Sequence, residues 1–109
     1  MRTVFALIWK SNEEDDNFDQ NEFESRVPAL MEWLEQLRNS GRLRACGGGG
    51  FARHAGSLTI VEVESESEDE ALLEVVAIAR ANPLNEIGQT DIMVWDLFYS
   101  DLAEGWSGS

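Results

Sequence analysis

The segment Thr3 to Trp9 is apolar from Val4 onward on both sides of any strand it forms, and nothing else in the chain limits the fold as tightly. Side chains alternate along a strand, so Val4, Ala6 and Ile8 point one way while Phe5, Leu7 and Trp9 point the other. Residues 91 to 98 repeat the arrangement, with Ile92, Val94 and Phe98 set against Met93, Trp95 and Leu97, interrupted only by Asp96. A sheet built from such strands has both faces to remove from water.

The segments between them supply the cover for one face. From Glu22 to Asn39 the apolar positions Phe23, Val27, Leu30, Leu34 and Leu37 step by four, three, four and three, which lines one side of a helix. Pro28 falls inside that pattern, and a start at about Val27 with Pro28 in the first turn is preferred to a kinked longer helix. Gly41 is placed to end it in the left-handed conformation. Arg42 to Cys46 reads as a short second strand, Gly47 to Gly50 as a hairpin loop, and Ser57 to Glu64 as the third strand. Ser65 to Asp69 opens a second helix with acids at its positive end, and Ala71, Leu72, Val75, Val76 and Ala79 form its apolar side. Asn82-Pro83 closes it, and residues 91 to 98 form the fourth strand.

The order is β-α-β-β-α-β. It predicts an α+β, ferredoxin-like sandwich: an antiparallel four-stranded sheet with two helices on one face, as one domain over residues 1 to 98. Residues 99 to 109 read as a tail with Trp106 available to pin it to the surface. The face without helices calls for a second copy, giving a homodimer through the sheet face, a dimeric α/β barrel. A chain of 109 residues buries enough surface for such a core without disulfides or a structural metal.

The charge removes several functions. With 21 acids against 8 bases the formal net charge is −13, which repels phosphate backbones and anionic bilayers; nucleic-acid and membrane partners are not expected. No apolar run approaches the roughly 20 residues of a membrane span. Val4 to Trp9 is too short for a signal peptide and no cleavage pattern follows, and the single Cys46 has no partner for a bridge, so a cytoplasmic location is expected. The acids between Glu13 and Glu24 lack the central glycine of a calcium loop, and Gly47 to Gly50 precede a strand rather than the helix a phosphate cradle needs. No metal and no cofactor is expected.

His54, the only histidine, lies in the Gly47 to Gly56 segment beside Arg53, where proton transfer and anion binding meet; the plain alternative is an ordinary surface histidine. Asp96, among Trp95, Leu97 and Trp9, is either a general acid or base in apolar surroundings or a carboxylate facing solvent at the sheet edge. Arg44 and Arg53 have the fork that grips a substrate carboxylate, although surface ion pairs are the commoner use. Trp9, Trp33, Phe51 and Trp95 are candidates for the wall of a ligand pocket, against the usual fate of aromatics as core. Cys46 is read as a small apolar packing residue, since no activating base is placed beside it.

The helix end Gly41-Arg42-Leu43, the strand Leu58 to Glu64 running into Ser65, Asn82-Pro83-Leu84 ahead of Gly88, and the close at Leu97-Phe98 resemble the YciI-like family of dimeric ferredoxin-like domains. More distantly the chain is similar to the muconolactone-isomerase type of the same dimeric α/β-barrel group. The resemblance covers most of residues 1 to 98 and implies a cavity between sheet and helices near the hairpin loop, used on small organic acids or cyclic compounds. Members of the family pair a histidine early in the first helix with an aspartate before the third strand. Here that histidine position falls near Leu30, and residues 47 to 56 contain no aspartate, so the pair is not carried over. The expected function is therefore a non-catalytic small-molecule-binding or regulatory dimer. The alternative is an isomerase-like or lyase-like enzyme that moves a proton on an anionic or cyclic organic substrate.

Overall fold

The computed structural model describes residues 1 to 99. Strand β1 (Arg2–Ser11) leads through a short 3-10 turn (Asp15–Asn17) into helix α1 (Gln20–Asn39). Strands β2 (Leu43–Gly50) and β3 (Ala55–Glu64) form a hairpin, helix α2 (Glu68–Arg80) follows, and a 3-10 turn (Pro83–Glu86) precedes β4 (Gly88–Val94). The strands lie in the order β2-β3-β1-β4 and every neighbouring pair is antiparallel. This is the ferredoxin-like α+β architecture.

The alternation in β1 decides which face takes the helices. Phe5, Leu7, Val61 and Val63 pack against Trp33, Leu34 and Leu37 of α1 and Ala71, Val75, Ile78 and Ala79 of α2. Each large side chain so buried contributes about 1.5–3 kcal/mol. Leu72, expected in this face, is instead 49% exposed, and Ile78 joins Ala71, Val75 and Ala79 on the inward side.

Helix α1 begins earlier than its proline suggests. Asp19 caps it by accepting from the Glu22 amide at 3.0 Å, and Pro28 sits in the interior. Proline there removes a single helical hydrogen bond. What holds the first turns is Arg26, whose guanidinium bonds Glu22 at 2.5 Å and Glu86 of the second 3-10 turn at 2.8 Å. The Glu22 bond first, then the Glu86 bond, raises the Arg26 pKa above its ordinary value. At the other end Gly41 takes φ 76°, with its amide on Arg38 O and the Arg42 amide on Leu37 O, the Schellman closure that its sequence position predicts.

The largest departure from expectation is β2. Gly47 to Gly50 are not a loop; they pair with Leu58, Ser57, Gly56 and Ala55 as the outer strand of the sheet. The turn is Phe51 to His54, closed by the Phe51 amide on His54 O at 2.8 Å. Strand β4 also stops early, at Val94, and only the Trp95 amide continues the ladder, onto Val4 O at 2.8 Å. Asp96, Leu97 and Phe98 therefore lie beyond the strand, and the tail from residue 100 onward is outside the described residues.

Trp9 ties the layers together. It is 1% exposed, donates its indole N–H to Leu84 O at 2.8 Å and lies beside Phe23 of α1. Gly88 passes so close that an added Cβ would collide with the indole and with Lys10 O. Gly88→Ala is expected to cost about 1–3 kcal/mol in urea denaturation. Gly48→Ala, which has open space around its Cβ and no positive φ, is expected to leave stability unchanged or raise it by up to about 1 kcal/mol.

Candidate functional site

The face of the sheet without helices carries a groove of about 510 Å³. Its floor is the backbone of Ala45 to Gly50, its flank is Ile8, Leu58 and Ile60, and Phe51 and Trp95 stand at its margins. The register accounts for this set: Ile8 lies opposite Leu58, Ala6 opposite Ile60 and Met93, and Gly47 opposite Leu58, so all point away from the helices. Leu58 is 37% and Met93 45% exposed. The groove is thus on the uncovered face and not between sheet and helices, where the family resemblance places a cavity.

His54 closes the turn whose first residue, Phe51, stands in the groove wall. It is half-buried, and its Nδ1 lies 3.0 Å from Ser11 O. A carbonyl oxygen only accepts, so Nδ1 carries the proton; in the neutral ring Nε2 keeps its lone pair. Asp96 lies one residue past Trp95, exposed, outside the strand that was expected to hold it.

The two arginines proposed as carboxylate grips are already occupied. Arg44 bonds Glu62 at 2.5 Å and the Gly41 carbonyl at 3.0 Å, and Arg53, 73% exposed, pairs with Glu14 at 3.7 Å. Arg53 instead helps frame a small polar recess with Glu14, Asp15 and Asp16 on the loop side of the hairpin. Trp9 belongs to the helix-side core and does not reach the groove, because odd positions of β1 face the helices. Phe51 and Trp95 are the two predicted aromatics that do line it. Cys46 packs against the core, and burial pushes its thiol above the ordinary value, the opposite of activation. Among the described residues no group of three or more metal-ligating side chains converges, and no helix is long and apolar enough to cross a membrane.

One residue at the site carries no sequence signal. Lys10 faces the groove side of β1 opposite Gly56, with Nζ 5.5 Å from the Phe51 ring centroid.

No family model and no curated protein matches this sequence. Among solved structures it is similar to the 5-chloro-2-hydroxyhydroquinone dehydrochlorinase of Burkholderia phenoliruptrix AC1100 in complex with 2,5-dihydroxybenzoquinone. The TM-score is 0.57 at 20% identity, covering 84% of this chain and 93% of that one. At this identity the likeness is one of fold, and it supports the wider fold group without singling out the YciI-like family. The matched protein is an enzyme, so the expectation of a non-catalytic domain gives way to its enzymatic alternative as the reading to propose.

Because burial pushes its thiol above the ordinary value and limits access to it, Cys46 should alkylate with iodoacetamide at pH 8 more slowly in the folded protein than in urea. Equal rates would show the side chain to be open to solvent.

Proposed function

We propose that this chain is a cytoplasmic small-molecule enzyme of YciI-like type that transfers a proton on an anionic or cyclic organic substrate, with His54 as acid and base. The observation that carries this reading is the 3.0 Å contact between His54 Nδ1 and Ser11 O, which leaves Nε2 as the basic nitrogen of the ring, in a turn whose first residue, Phe51, lines the apolar groove. Nε2 takes a proton from a substrate C–H or O–H, while Ser11 O, accepting from Nδ1, holds the ring's orientation. Returning the proton at a second atom gives an isomer; loss of a leaving group from the carbanion gives an elimination, with the proton then released to water. The likeness in fold to a dehydrochlorinase is in keeping with the elimination. Phe51 and Trp95 hold the apolar part of the substrate, and neither step calls on a metal or cofactor among the described side chains.

The same face supports a homodimer. Ile8, Leu58, Ile60 and Met93 form an apolar surface that a second copy stacks on about a two-fold axis, roofing the groove. Sedimentation should therefore give twice the chain mass of 12.2 kDa, and Ile60→Glu should give a monomer.

The catalytic reading is tested in heavy water. The protein should wash solvent deuterium into members of a panel of cyclic ketones, lactones and carboxylic acids, followed by NMR. His54→Gln should slow exchange by about 10²–10⁴-fold. Asp96→Asn, placed past the strand in solvent, should leave it near the parent rate. Exchange that survives His54→Gln would remove His54 from the mechanism.

A further inference from the structure

The chain has a single lysine, Lys10, and seven arginines. Arg2, Arg26, Arg38, Arg42, Arg44 and Arg53 are engaged with carboxylates, of Glu64, of Glu22 and Glu86, of Glu35, of Glu74, of Glu62 and of Glu14 respectively. Arg80 stands in the last turn of α2, where a cation complements the helix dipole. Lys10 has neither role. Its cross-strand neighbours, Gly56 and Gln89, are uncharged, and among the described residues no carboxylate pairs with it. Its ammonium lies instead over the Phe51 ring at 5.5 Å. With 21 acids in the chain, a cation with no carboxylate against it is free to accept a charge that a ligand brings.

The floor of the groove points the same way. An added Cβ at Gly47, Gly48 or Gly49 would meet nothing within 4 Å, and none of these has a positive φ. Neither backbone conformation nor packing within the chain asks for glycine there. Bare backbone admits a close approach from outside, and the flanking Phe51 and Trp95 give that visitor an apolar, flat contact.

We propose that Lys10 is the anion-recognising residue of this groove. The ligand it fits has a flat apolar body, lying on the glycine floor against Phe51 and Trp95, and one carboxylate, sulfonate or phenolate held by Lys10 Nζ. This deepens the functional reading by placing the anionic end of the substrate, and it rests on the groove as the ligand site but not on His54 as the base. Phe51 serves two ends: its ring holds the ammonium in place when the groove is empty and packs on the ligand when it is filled.

Two dyes that share a ring system test it. 8-Anilinonaphthalene-1-sulfonate carries an anion and N-phenyl-1-naphthylamine does not; both brighten on apolar sites and are titrated at low ionic strength, where exposed charge is least screened. Lys10→Met should weaken the sulfonate dye about tenfold and leave the neutral dye unchanged. Lys10→Arg should restore the sulfonate dye, and Phe51→Ala should weaken both. The proposal is overturned if Lys10→Met leaves the sulfonate dye unchanged, if it weakens both dyes equally, or if the parent binds neither because a second copy fills the groove. His54→Gln should bind both dyes as the parent does, so loss of deuterium exchange and loss of dye binding report on separate claims.

Discussion

Trp9 is the side chain on which the rest of the arrangement depends. Its indole lies under the turn Pro83–Glu86, donates to Leu84 O, meets Phe23 of α1 and leaves Gly88 no room for a side chain. A buried indole N–H without an acceptor is costly, so the partner carbonyl fixes where the chain re-enters the sheet as β4. With β4 placed beside β1, the odd residues of β1 are committed to the helices and the even ones to the open face. The groove is a consequence of that commitment.

Much of the fold was legible because side-chain periodicity was there to read. The two-sided strands, the helix bearing Leu30, Leu34 and Leu37, and the left-handed Gly41 each follow from local pattern. The start of α1 did not, because Pro28 is a local signal while the opposing bond from Arg26 to Glu86 spans 60 positions. Strand β2 was hidden for a different reason: Gly47 to Gly50 have no side chains to alternate, and only the ladder to β3 reveals them as a strand. The site was half legible. Phe51 and Trp95, which line the groove, stood out by residue type, whereas local sequence does not choose between a ligand and an ion pair for Arg44 and Arg53, because Glu62 and Glu14 are brought to them by the fold. Lys10 escaped notice because having no carboxylate partner among the described residues is a property of everything around it.

The distribution of charge gives the site its character. Ion pairs at the surface contribute little to stability, up to about 1 kcal/mol each. Here they serve better as a way of occupying arginines, so that the positive charge left on the open face is narrow and local. An acidic protein of this kind repels anions at long range and accepts one only where a short-range contact offsets the field. Selectivity then rests on apolar fit as much as on charge.

A lone lysine has a practical meaning. Amine-directed reagents therefore have one side chain to modify, and it stands on the rim of the groove. A fluorophore or cross-linker coupled through lysine reports from that rim without any engineered cysteine, and the same coupling to a solid support turns the open face toward the matrix and hides it.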